Sequence, residues 1–111
     1  MKALFIIINH EEHFRKLLKE FAKTGIRGGT IISSEGLAAS QAEYTPELGM
    51  NYFKMFINSG RPYNKTIFLV LDDNKIEDAK DCVRRVVGNL DRENVGIMFT
   101  CDVDSFEGLT K

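Results

Sequence analysis

Thr66-Ile67-Phe68-Leu69-Val70-Leu71-Asp72-Asp73-Asn74 joins an apolar run to a cluster of turn and cap residues. Residues 66–71 are β-branched, aromatic or aliphatic at consecutive positions, the composition of a strand. Asp73 or Asn74 then stands where the cap of a following helix belongs. Ile76, Ala79, Val83, Val86, Val87 and Leu90 recur at helical spacing on one face, so this strand leads into an amphipathic helix.

Working outward, Val95-Gly96-Ile97-Met98-Phe99-Thr100 closes this half as a further strand. Upstream, residues 3–8 (Ala-Leu-Phe-Ile-Ile-Ile) show no alternation, which predicts a strand buried on both faces. Asn9 is placed to cap the next helix, Glu11 and Glu12 suit its positive end, and Gly25 its left-handed exit. Between them Phe14, Leu17, Leu18, Phe21 and Ala22 form one apolar stripe. Residues 30–35 read as a more polar second strand closed by Gly36. The order is strand, helix, strand, strand, helix, strand: an α+β, ferredoxin-like βαββαβ sandwich with a long insertion between strands two and three.

The insertion, residues 37–64, is long for a compact domain, and connections of that length are usually functional or disordered. Thr45 and Pro46 suit a helix start, and Leu48, Tyr52, Met55 and Phe56 share a helical face. Residues 52–57 fit a hairpin extension equally well, so residues 46–58 stay open between helix and strand. Tyr44, Tyr52, Phe53 and Phe56 are the candidate partner-binding side chains, as aromatic anchors dominate interfaces.

The chain has 111 residues, enough for one domain with one core. Its net charge of −1 supplies no field to draw it to nucleic acid. No run approaches a membrane span or a secretory leader, so a cytoplasmic protein is expected. Cys82 and Cys101 fall in a helix and a strand, where a reduced, buried thiol is commoner than a disulfide. Two helices cover only one face of four strands, yet strands one, three and four are apolar on both. The uncovered face therefore predicts sheet-to-sheet assembly with other copies of the chain.

Little in the sequence points to catalysis. There is no Gly-x-Ser-x-Gly elbow, no Cys-His pairing in context and no spaced carboxylate pair, so no enzyme is expected. His10 and His13 are three apart and would share a helix face, but without a third spaced ligand they read as solvated residues of the helix start, and no metal is assigned. Gly25, Gly28 and Gly29 do not form Gly-x-Gly-x-x-Gly; they read as a helix stop and tight turn, or as backbone that approaches a ligand.

Gly25-Ile26-Arg27-Gly28-Gly29-Thr30 leading into strand two and ending at Gly36, Pro62 ahead of Lys65, and Leu71-Asp72-Asp73 opening helix two together resemble the PII nitrogen-regulatory signal-transduction family. The resemblance runs over most of the chain outside the stretch after Gly36. It implies a homotrimer that senses a small-molecule effector and controls a target protein through a loop after strand two. A membrane transporter is a candidate target, without insertion of this chain into the membrane. By equivalence to the family's cleft between subunits, the ligand-binding candidates are Ile7, Gly28, Gly29, Thr30, Gly36, Lys65 and Gly96. An adenine nucleotide is the effector the family implies. The stretches matching its triphosphate site read Leu37-Ala38-Ala39-Ser40, Arg92-Glu93-Asn94-Val95-Gly96 and Ser105-Phe106-Glu107-Gly108-Leu109, which lack most of the Arg, Lys and Gly that phosphate binding requires. A divergent PII-like member with weak or no ATP binding is expected. The alternative on the same fold is a CutA-type trimer that binds a metal or another small molecule.

Overall fold

A computed structural model of the chain describes residues 1–45, 57–58, 61–92 and 95–109. The order is β1 (Lys2–Ile8), α1 (Glu11–Thr24), β2 (Thr30–Ser33), α2 (Leu37–Tyr44), β3 (Ile57–Asn58), β4 (Arg61–Pro62), β5 (Lys65–Leu71), a 3₁₀ turn (Asp73–Lys75), α3 (Ile76–Val87) and β6 (Gly96–Asp102). Four strands form one antiparallel sheet in the order β2-β5-β1-β6, and β3 and β4 pair as a separate two-stranded ribbon. The chain is thus a mixed α+β structure in which β5 separates β1 from β2.

The register assigns every side chain to a face. Leu4, Ile6 and Ile8 of β1 and Ile67 and Leu69 of β5 point to the helix side, where they pack with Leu17 and Phe21 of α1 and with Ile76, Ala79, Cys82, Val83 and Val87 of α3. Burial along β1 alternates strictly, because α1 and α3 cover one face only. The expectation of a strand buried on both faces therefore does not hold for the single chain. Across the helices, the Arg85 guanidinium donates to Glu20 at 2.8 Å, and Thr24 Oγ1 lies 3.3 Å from Cys82 Sγ.

The other face presents rows that cross the strands. Phe68, Phe5 and Phe99 stand side by side, with ring centroids 5.8 Å apart for Phe5–Phe68 and 4.9 Å for the stacked Phe5–Phe99 pair. The next row is Ile32, Thr66, Ile7 and Ile97. Beyond it lie Ser34, Asn64 and Asn9, linked by hydrogen bonds from Ser34 Oγ to Asn64 Oδ1 and from Asn64 Nδ2 to Asn9 Oδ1.

Local signals differ from expectation in three places. Asn9 does not cap α1; His10 occupies that position without a side-chain bond, because the Asn9 carboxamide is taken by Asn64 of the β5 approach. Neither Asp73 nor Asn74 caps α3, since the chain enters through the 3₁₀ turn and Lys75 takes the cap position. Residues 37–44 form a helix ahead of the positions where one was expected, and residues 46–56 lie outside the described residues. The exit of α1 is as read: Gly25 has φ +80°, and Ile26 N–H returns to the Phe21 carbonyl at 2.8 Å.

Candidate functional site

The seven ligand-binding candidates divide between the two ends of β2. Ile8 of β1 pairs with Lys65 and with Gly96, so Lys65, Gly96 and the neighbouring Ile7 share one end, toward which β2 runs and which Gly36 follows. Gly28, Gly29 and Thr30 lie at the opposite end of β2, about 10 Å away at the rise of an extended strand. Ile7 also faces the aromatic side of the sheet, whereas Lys65 and Gly96 face the helices. A single cleft built from all seven does not form within one chain.

Two of the glycines have a packing cause. A Cβ on Gly96 would stand 2.4 Å from the Ile7 carbonyl oxygen, and one on Gly29 would stand 2.3 Å from Leu69 Cδ2. Both have positive φ, at +151° and +141°. Close strand approach therefore accounts for Gly29 and Gly96. Gly36 precedes α2 and its carbonyl accepts from Ser40 N–H.

Lys65 is the chemically distinctive member. Its ammonium donates to Ser33 Oγ at 2.6 Å and stands 6.0 Å from the ring centres of both Phe14 and Tyr63, with no carboxylate partner among the described residues. Burial, followed by the charge of Glu11, raises the Tyr63 hydroxyl above its ordinary value. Nearby on α1, the His10 and His13 rings meet edge to face at 5.2 Å. His13 Nδ1 is buried without a hydrogen-bond partner among the described residues, and burial, then the charge of His10, lowers its pKa. The result is a cation held between aromatic walls and a hydroxyl, suited to a carboxylate or phosphate group of an incoming ligand.

At the far end, Gly28, Gly29 and Thr30 line a different feature. α1 does not reach over the edge strand β2, leaving a cleft of about 410 Å³ floored by Ile31, Ile67 and Leu69 and walled by Leu18, Phe21, Ala22 and Ile26. Arg27 stands in its lining with no ion pair or hydrogen bond among the described residues. Sequence reading singled out the glycines here but missed the cleft, whose signal is the pair Leu18 and Ile31: apolar residues of a helix stripe and an edge strand that nothing covers.

Tyr44, at the end of α2, is exposed, while Tyr52, Phe53 and Phe56 lie outside the described residues. Cys82 is buried as expected; Cys101 is exposed because it lies on the uncovered face. No helix among the described residues is long and apolar enough to cross a membrane. No family model matches the sequence, and no curated protein matches it significantly.

Proposed function

We propose that this chain is a cytoplasmic, non-enzymatic regulatory subunit of the PII-like type, a homotrimer of ferredoxin-like domains that binds an anionic effector and acts on a target protein through residues 37–64. The architectural part is supported by the strand order, in which β5 lies between β1 and β2 and is antiparallel to both, with α1 and α3 on one face. The observation that carries the assembly is the aromatic row Phe68–Phe5–Phe99 on the other face, beside exposed Ile32 and Ile97. A continuous apolar sheet surface of this kind is removed from water by a like surface.

Lys65 supports an anionic effector, since its ammonium is oriented by Ser33 and has no carboxylate partner among the described residues. Sedimentation at micromolar concentration tests the assembly: three chains are expected, and a stable monomer refutes it. A dimer keeps the burial argument and removes the PII analogy. Calorimetric titration with ATP, ADP, 2-oxoglutarate, bicarbonate and divalent cations tests the effector. An anion should bind, with affinity lost in Lys65→Ala, and ATP should bind weakly. Binding by divalent cations alone would favour the CutA-type alternative, and sub-micromolar ATP affinity would overturn the reading of the missing cations.

A further inference from the structure

Two apolar features lie unsatisfied at the same end of the sheet. The first is the cleft beneath α1 at the β2 edge, where Leu18 and Ile31 remain 41% and 48% exposed. The second is the segment after β6. It is rooted by a hydrogen bond from Val103 N–H to the Met1 carbonyl, and Phe106 and Leu109 along it are 47% and 43% exposed. Lys2 pairs with both Leu71 and Asp102, which fixes this segment at the end of the sheet from which the chain enters β2, since Thr30 pairs with Phe68 at mid-strand and residues 27–29 precede it on that side. Within one chain the two features sit at opposite edges, three strand spacings or about 14 Å apart.

We infer that residues 103–109 of one copy fill the α1–β2 cleft of the next, with Phe106 and Leu109 of the incoming segment on Leu18, Ile31 and Leu69. This rests on the proposed self-assembly and specifies a contact within it. Three observations select a second copy as the occupant. Among the described residues no strand pairs with the outer edges of β2 and β6, and β2 runs parallel to β1 while β6 runs antiparallel to it. Setting the β6 edge of one copy beside the β2 edge of the next therefore continues the antiparallel sheet; with the rows kept in register Phe99 comes level with Thr30, and Asp102, three residues on, leads the following segment past Arg27 at the cleft. The charges also match: among the described residues Asp104 and Glu107, which flank Phe106, have no ion pair, and neither has Arg27 in the cleft lining. Such an edge-to-edge contact is heterologous, so it closes into a ring when the rotation per copy is a whole fraction of a turn.

The test is disulfide trapping between chains in a C101S background. L18C protein is mixed with F106C protein at micromolar concentration and oxidised, and L18C mixed with Y44C serves as the control. A held contact presents the two thiols at roughly millimolar effective concentration, so the mixed L18C–F106C dimer should exceed the control about a hundredfold. Wild-type sedimentation is run alongside. Assembly with no excess of the mixed disulfide overturns this contact and leaves the assembly reading standing. A monomer without trapping refutes both. A disulfide formed only within an L18C/F106C double variant shows that the segment closes on its own cleft. A small molecule retained by native mass spectrometry that blocks trapping makes the cleft a ligand site. Either result overturns the second-copy assignment.

Discussion

Replacing Phe99 by Ala separates a chain that works alone from one that buries its uncovered sheet face. In the single chain the Phe99 ring is 45% exposed and stacked at 4.9 Å on Phe5. Slightly more than half of the transfer free energy of a Phe side chain is then at stake, about 1–1.5 kcal/mol. The aromatic pair adds about 0.5–1.5 kcal/mol. Truncation should therefore cost an isolated chain about 1.5–3 kcal/mol. Where the face is enclosed by neighbouring copies, the same truncation leaves a cavity in a packed interior and costs about 3–5 kcal/mol.

Urea unfolding of the wild type and of F99A at two chain concentrations a hundredfold apart distinguishes the two. For a trimer that dissociates as it unfolds, mass action raises the stability per chain by about 1.8 kcal/mol over that range. The wild-type midpoint should rise with concentration, F99A should lose most of that dependence, and the difference between them at the higher concentration should reach about 3–5 kcal/mol. A midpoint independent of concentration, with an F99A cost of about 1.5–3 kcal/mol, would refute the argument that this face is an interface.

G29A should destabilise the chain by about 1–3 kcal/mol in denaturant titration, because its φ is +141° and its Cβ would meet Leu69, whereas G28A, with open space around it, should be near neutral. Leu17→Ala, at a fully buried position, should cost about 2–5 kcal/mol by the same measurement. Cys82 should react with a thiol reagent only on unfolding, while Cys101 should react quickly in a monomer and slowly once the uncovered face is enclosed. His13 has a lowered pKa in the folded chain, so its contribution to stability is complete above the ordinary histidine value and is lost as pH falls through it. Thermal unfolding between pH 7.5 and 5.5 should show this loss, and His13→Gln should flatten it; the lowered carboxylates of Glu12, Glu20 and Asp102 act in a more acidic window.

The long elements were legible because their signals agree with one another. The stripe of α1 and its Gly25 exit, and the stripe of α3, are each redundant over several residues. The helix at residues 37–44 was missed for the opposite reason. Leu37-Ala38-Ala39-Ser40-Gln41-Ala42-Glu43-Tyr44 is rich in helix formers but has no apolar stripe, so propensity forms it where periodicity is silent. The caps failed because a side chain has several partners to choose from: Asn9 has the chemistry to cap α1, but pairing of β1 with β5 brings Asn64 to it first.

The candidate site was only half legible, and the reason is geometric. Proximity in a sheet of order β2-β5-β1-β6 does not follow chain order, and β2 separates residues that sequence reading had grouped: Gly28, Gly29 and Thr30 at its start, Gly36 beyond its end. The same separation has a consequence for assembly. A site that needs both ends of β2 cannot close within one chain, but β2 is an edge strand with all four of its residues exposed. Any neighbour that pairs with it runs along its whole length and meets the α1 cleft at one end and the surroundings of Lys65 at the other. Occupancy of the cleft by an adjoining copy and effector binding near Lys65 would then act on opposite ends of one short strand, and a displacement of β2 along its pairing with β5 is felt at both.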